Sequence, residues 1–401
     1  MSDAWDWINR RYESDDLAKF TLMLDTLEEV VGHLRSDAPA RHRIALILTD
    51  YIADVLLARR VNSVVQLSEY GPWFEPRERF TDRDLNLLRQ GFNRRLQVAS
   101  QSYERPMTFG MGRPILAEEL AEVLRVAHAY RNDVYHEDRH NPHSLPIVTL
   151  AALHATAEAW RQSLPSKSAT SSGAKGPLMD RLVVMGYETP SILGSGAGPM
   201  FSHYAGAEAF IGWLDREMPF DIAAAACSLS EDIDSRIEWA ESMIAWLSGW
   251  EGPGADEIEP SLHWHEFWRE HGGDPRLLEL NDEQARNAAA SLDTEDEAEK
   301  ERLRALMQQT DEQRTEYFRS LHSSFTPTLG IKSLPKLRRR GRALAELRQP
   351  GRLLARYRTV DEQMRVFEDT LAEVAEGWDR HVSEEVDRAR GKGIFITRRE
   401  P

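Results

Sequence analysis

The chain contains a single cysteine, Cys227. One thiol excludes an intramolecular disulfide and any Cys-rich zinc module, and it fits a reducing compartment. Cys227 follows four alanines, so it reads as a small buried hydrophobe and not as a nucleophile. Long apolar runs are also missing. The longest, near FDIAAAACSL, is too short to span a bilayer. The opening MSDAWDWINRRYESDD is acidic and lacks the basic-then-apolar order of a signal peptide, so a cytoplasmic protein with no membrane partner is expected. No alternating strand pattern and no internal repeat is found. The glycine-rich GSGAGP at 194–199 lacks the Lys-Ser/Thr ending of a phosphate loop and follows no convincing strand, so it reads as a loop.

What is present is the balance of a soluble globular protein, 41% hydrophobic and 29% charged over 401 residues, long enough for two or three domains. The net charge of −16 conceals a segregation. Between Lys332 and Arg358 there are ten Lys or Arg and one acid, Glu346, a net +9 that leaves −25 for the remainder. Lys336, Arg338, Arg339, Arg340 and Arg342 are therefore candidate RNA-binding residues. The same side chains could equally dock an acidic partner or the acidic remainder of their own chain.

Periodicity predicts an all-α fold. LAKFTLMLDTLEEVVGHL places Phe20, Leu24, Leu27 and Val31 at helical spacing, with Asp15 or Asp16 available as a cap. PARHRIALILTDYIADVLLARRV opens on Pro39, tolerated in a first turn, and runs apolar at Ile44, Ile47, Tyr51, Val55 and Leu56. DRDLNLLRQGFNRRLQVA and PILAEELAEVLRVAHAYRNDVYHE repeat the pattern, and IVTLAALHATAEAW supplies a fifth helix after Pro146. Short connections make residues 1–165 an antiparallel helical bundle. Residues 166–177, rich in Ser, Gly and Ala, read as a flexible linker, and 178–401 as a second, mainly helical region. Near the end Met364, Phe367, Leu371, Val374 and Trp378 follow a coiled-coil rhythm over about two heptads, which fits an intramolecular hairpin before a dimerisation helix.

The stretch AYRNDVYHEDRHNPH, 129–143, supports two frames. HEDRH matches the H-E-x-x-H of zinc proteases, but Asp138 and Arg139 lie where a buried helix needs uncharged side chains, and Asn141 and Pro142 end the helix directly after His140. Glu158, the third ligand available on paper, reads as an ordinary helical Glu, and His140 and His143 as exposed loop histidines. HWHEFWREHGG gathers His263, His265 and His271, and reads as a helix end packed by aromatics before a metal site. The other frame, RNDVYH, sets Arg131 five positions before His136. Roughly one R-x4-H arises by chance in such a chain, so context must decide. RSDAPARH, Arg35 to His42, crosses a probable interhelix turn, whereas Arg131 to His136 closes a long amphipathic helix just before the last helix of the bundle.

That context resembles the HEPN family, helical bundles many of which are RNases with an R-x4-6-H motif and a polar residue, often Asn, after the Arg. Asn132 stands there. The resemblance covers about residues 15–165. It implies that Arg131 and His136 are catalytic, that Asn132 assists, that no metal or cofactor is needed, and that the chain is an endoribonuclease. It also implies a toxin or antiviral defence effector, with an antitoxin or activating protein as a further partner.

The residues support this chemistry independently. RNA carries its own nucleophile, the 2′-hydroxyl, so a protein need supply only proton transfer and a cation for the phosphate. Histidine titrates near neutrality, and arginine is always charged and forked. Arg131 and His136 diverge by about 140° on a regular helix. Since the motif also holds one His where in-line cleavage wants an acid and a base, a homodimer with the site in its cleft is expected. His128, between two alanines, reads as a buried helix residue, and Tyr130 and Tyr135 as packing aromatics able to stack on a base. The competing reading is a catalytically inactive bundle that binds nucleic acid or a partner protein.

Overall fold

The computed structural model describes residues 16–70, 91–100, 116–136, 141–164, 171–172, 177–188, 200–249, 325–328 and 330–391, with isolated positions at 86, 88, 258–260, 262–263 and 266–267. Among these residues the fold is all-α. The helices are α1 (Asp16–Leu34), α2 (Pro39–Tyr70), α3 (Phe92–Ser100), α4 (Glu118–His136), α5 (Ser144–Ser163), α6 (Pro177–Val184), α7 (His203–Glu217), α8 (Ile222–Gly249), α9 (Leu334–Arg342) and α10 (Pro350–Gly391). Short 3-10 turns cover Ile331–Ser333 and Ala343–Glu346. Two two-residue strands, β1 (Ser171–Ser172) and β2 (Met200–Phe201), pair antiparallel. No helix among the described residues is long and apolar enough to cross a membrane.

Packing divides the chain into two compact units, residues 1–229 with 344–358, and residues 230–343 with 359–401. Neither boundary falls in the Ser/Gly-rich stretch 166–177, of which only Ser171, Ser172 and Pro177 are described. The residues beyond that stretch stay with the bundle because α7 packs on α5 and α1. Its entry is set locally: Ser202 caps α7 by accepting from the Ala205 N–H at 3.3 Å. Gly206 then passes so close to Phe20 that a Cβ there would lie 2.7 Å from the Phe20 ring. Phe20 also meets Trp160 and Phe201, with ring centroids 4.8 and 5.1 Å apart.

In the first unit α1 buries Phe20, Leu24, Leu27 and Val31, as the spacing predicts. The four residues 35–38 turn the chain into α2, which starts at Pro39, where a missing N–H costs no helical bond. The predicted inner face of α2 is met at Val55 and Leu56 but not earlier in the helix. Ile44 and Tyr51 are exposed, while Ala45, Leu46, Ile52, Ala53, Leu56 and Leu57 are buried. The reason is that α2 is apolar on more than one side, so spacing alone does not choose the face. Helix α5 begins at Ser144, not after Pro146; the proline sits inside the first turn, where its nitrogen would have no partner in any case. Leu145, Val148, Ala152, Leu153, Ala157 and Trp160 are buried along it, and it packs against α1, α2, α4 and α7. Its alanines let these neighbours approach. Each large apolar side chain so buried is worth roughly 1.5–3 kcal/mol before conformational entropy is subtracted.

The far end of the sequence completes this unit. The first turns of α10 lie against α4: a Cβ on Gly351 would meet the Glu119 carbonyl oxygen and Glu122 Cβ at 2.8 Å. The Tyr357 hydroxyl accepts from Asn141 Nδ2 at 2.9 Å, and Arg358 pairs with Asp133 at 3.5 Å while covering the Tyr130 ring. Cys227, expected inside, is exposed. Ala226, Leu229 and Ser230 hold the buried stripe of α8, and position 227 falls off it.

In the second unit α8 and α10 are tied by Arg236. Its guanidinium donates to both oxygens of Glu368, at 2.6 and 2.8 Å, and to Asp361, which also accepts from Arg365 at 2.7 Å. Met364, Phe367 and Leu371 are fully buried within the chain, consistent with an intramolecular role for the heptad-like run. The Trp378 side chain lies outside the described residues.

Candidate functional site

The residues around RNDVYH are organised by a charged seam in an otherwise apolar bundle. Helix α2 carries Asp50 and Asp54 one turn apart, so both carboxylates point to the same side, toward α3 and α4. Asp54 accepts from Arg95 of α3, whose Nε lies at 3.0 Å and whose Nη1 donates to the Leu88 carbonyl at 2.9 Å. Burial pushes the Asp54 carboxyl above its ordinary range. The charge and hydrogen bonds of Arg95 oppose that shift, Asp50 adds to it, and His128 counters it weakly.

Asp50, only 6% exposed, serves two residues of α4. His128 Nδ1 lies 2.9 Å from Oδ1 and 3.2 Å from Oδ2. Arg131 Nε lies 3.4 Å from Oδ2, an ion-pair distance without hydrogen-bond alignment. Arg131 Nη1 donates to the Asn132 side-chain oxygen at 2.9 Å, and the guanidinium lies over the Tyr135 ring at 5.3 Å. Asn132 thus contacts the arginine directly, and the side chain of Arg131 remains 31% exposed. Its Nη2 has no partner among the described residues. An arginine held by Nη1 beside a buried carboxylate, with Nη2 open among the described residues, is placed to take a phosphate oxygen.

Helix α4 stays regular through its last residue, His136, so Arg131 and His136 occupy register positions about 140° apart. The His136 side chain and Glu137 to His140 lie outside the described residues, and the HEDRH frame falls largely among them. His128 departs from the buried helix residue that the sequence suggests. It is 20% exposed and paired, with its ring stacked on Phe92 at 4.0 Å and 5°. Tyr130 is buried, whereas Tyr135 is 65% exposed. His143 is exposed, and its Nε2 lies 2.8 Å from Ser228 Oγ. Asp50, Asp54, Phe92 and Arg95 were not singled out by the sequence. The available signal was a pair of acids four residues apart in the apolar run IALILTDYIADVLL, where a charge is rare unless paired.

The other sequence-derived candidates sit differently. Helix α9 presents Arg338 to α8, with Nη1 and Nη2 donating to the two Glu241 oxygens at 3.1 and 2.9 Å and Nε 3.7 Å from Asp234. Arg342 Nε donates to Asp234 at 3.0 Å, and Arg340 to the Gln363 side-chain oxygen at 3.2 Å. Lys336 and Arg339 are exposed. Of the three roles open to this segment, docking to acids of its own chain describes Arg338 and Arg342. His263 lies 3.6 Å from Glu259, Phe267 is buried against Phe325, and His265, His271 and GSGAGP lie outside the described residues. Comparison with protein-family models, with curated proteins and with solved structures returned no match.

Proposed function

We propose that the chain is a metal-independent endoribonuclease of HEPN type, with Arg131 and His136 as catalytic residues and Asn132 as their support. One observation carries the reading: Arg131 is anchored on one side by Asp50 and Asn132 and keeps Nη2 uncommitted among the described residues. Here the buried carboxylate fixes the guanidinium in place, which spares the side-chain entropy that a phosphate contact would otherwise consume.

In this reading the 2′-hydroxyl attacks the adjacent phosphorus, Arg131 stabilises the charge that builds on the phosphate oxygens, and His136 exchanges a proton. The products are a 2′,3′-cyclic phosphate and a 5′-hydroxyl. DNA, without the 2′-hydroxyl, is not cut. A second copy of the chain would bring a second Arg and His to a shared cleft, and a role as toxin or defence effector in the cytoplasm would follow from RNA cleavage.

The test is cleavage of end-labelled RNA in EDTA by the intact chain and by His136→Ala and Arg131→Ala variants of equal thermal stability. Cleavage by the unmodified chain, cyclic-phosphate ends and loss of activity in both variants support the proposal. Equal behaviour of all three overturns it and leaves a binding module.

A further inference from the structure

In-line cleavage needs a proton acceptor at the 2′-oxygen and a proton donor at the 5′-oxygen, and RNDVYH holds only one imidazole. We infer that His128 is the second, acting as general base toward the 2′-hydroxyl, so that one chain carries both proton-transfer groups. This rests on the ribonuclease reading and deepens it.

The geometry of His128 fits the role. Its register position is about 60° from Arg131, on the side toward His136 and about 80° short of it, and it precedes Arg131 by three residues while His136 follows by five. Along the helix axis the backbone positions of His128 and His136 therefore bracket that of Arg131. His128 and Arg131 meet on one carboxylate, Nδ1 of His128 at 2.9 Å from Oδ1 of Asp50 and Nε of Arg131 at 3.4 Å from Oδ2. A group bound by Arg131 is thus held close to the His128 ring.

The chemistry of the ring follows from its partner. An ionised carboxylate only accepts, so the nitrogen facing Asp50 carries the hydrogen. In the neutral ring the lone pair then sits on Nε2, which has no hydrogen-bond partner among the described residues, and the side chain is 20% exposed. Phe92 stacks flat on the ring and resists its rotation. A carboxylate behind Nδ1 also stabilises the imidazolium that forms when Nε2 takes a proton. The charged groups facing His128 are Asp50 and Asp54 of α2, Arg95 of α3 and Arg131 of its own helix. Two carboxylates and two guanidinium groups cancel, so the protonation of His128 sets the sign of the cluster. Proton uptake turns it positive as the phosphate gains charge.

The step balances. Nε2 of His128 takes the 2′-hydroxyl proton, the 2′-oxygen bonds to phosphorus, the bond from phosphorus to the 5′-oxygen breaks, and the imidazolium of His136 protonates the departing 5′-oxygen. Exchange with water resets both rings.

Single-turnover cleavage of RNA at a series of pH values tests this with the full chain and its His128→Asn, His128→Ala and His136→Ala variants. Asparagine keeps a donor toward Asp50 and lacks the second nitrogen, so fold and acid–base chemistry separate. His128→Asn should cut the rate by about 100-fold or more and remove the acidic limb of the pH profile, and added imidazole should restore part of the activity of His128→Ala. An RNA with a 5′-bridging sulfur needs no proton at its leaving group: on it His136→Ala should recover and His128→Asn should not. An intact limb and a rate within about threefold in His128→Asn, or recovery of that variant on the sulfur substrate, overturns the assignment. Should the unmodified chain itself leave RNA uncut, the ribonuclease reading fails, an outcome distinct from loss in Arg131→Ala and His136→Ala with His128→Asn intact.

Discussion

Two arginine-bearing helices, α4 and α9, carry positive charge in opposite ways. In α9 the charge is dense, yet Arg338 and Arg342 are engaged by Glu241 and Asp234 of α8, within the same unit. In α4 Arg131 leans on a buried acid and leaves one end of its fork uncommitted among the described residues. Density of charge in a sequence therefore does not measure charge available to a ligand. What decides is how an arginine is held: Arg338 gives both Nη groups to Glu241, whereas Arg131 spends only Nη1, on Asn132.

The sharpest way to break this contrast is to remove one arginine from each helix. Arg131→Ala should lower RNA cleavage by two to three orders of magnitude, as expected for loss of a preorganised cation at a developing oxyanion. Arg338→Ala should leave the cleavage rate unchanged in the same assay. The next largest effect concerns the seam behind Arg131. Asp54→Ala removes the carboxylate that pairs with the buried Arg95 guanidinium and should cost about 3 kcal/mol in urea unfolding, the scale for breaking a buried pair from one side.

For Arg338→Ala the cost should be only about 0.5–1 kcal/mol, because the Glu241 partner is 43% exposed and solvent screens the pair. The salt dependence of RNA binding should not change in that variant. A slope reduced by about one charge would mean that the pairs open on RNA, and the contrast would fail.

The smallest effects are in the pH dependence of stability. Hydrogen bonds from Arg161 and Gln162, with the Arg161 charge, outweigh the upward push of burial on Glu158 and hold its carboxyl below the ordinary range. A depressed carboxyl contributes stability above its unfolded value, about 4.3, that is lost as pH falls through the folded one. Asp54, raised by burial, works the other way: its contribution is present below about 3.9 and lost as pH rises through the folded value. Melting temperatures at pH 7 and pH 4 should therefore converge in Glu158→Gln and diverge in Asp54→Asn, relative to the unmodified chain.

Much of the helical plan is legible in the sequence because α1 and α4 each combine a clear apolar period with a boundary signal, Asp15 and Asp16 before the one and Asn141-Pro142 after the other. The inner face of α2 is not, since Ile44 and Ala45, or Tyr51 and Ile52, are both apolar and only packing against α5 distinguishes them. Of the site, Arg131, Asn132 and His136 are visible as a motif. The carboxylate that orients Arg131 lies 81 positions upstream, and no local pattern joins Asp50 to it. The extent of the first unit is hidden for a similar reason. Linker composition at 166–177 speaks only of local stiffness, whereas α7 and residues 344–358 belong with the bundle through contacts distant in sequence.

The return of residues 350–358 to α4 bears on how the protein is made. Domains generally fold from the N-terminus as the ribosome delivers them, but here the helix bearing RNDVYH gains the cover of Tyr357 and Arg358 only once residue 358 has been translated. A nascent chain stalled before that point would lack the Arg358 contacts to Tyr130 and Asp133. On the ribonuclease reading proposed above, such an order would delay a finished catalyst until the message encoding it has been read at least that far.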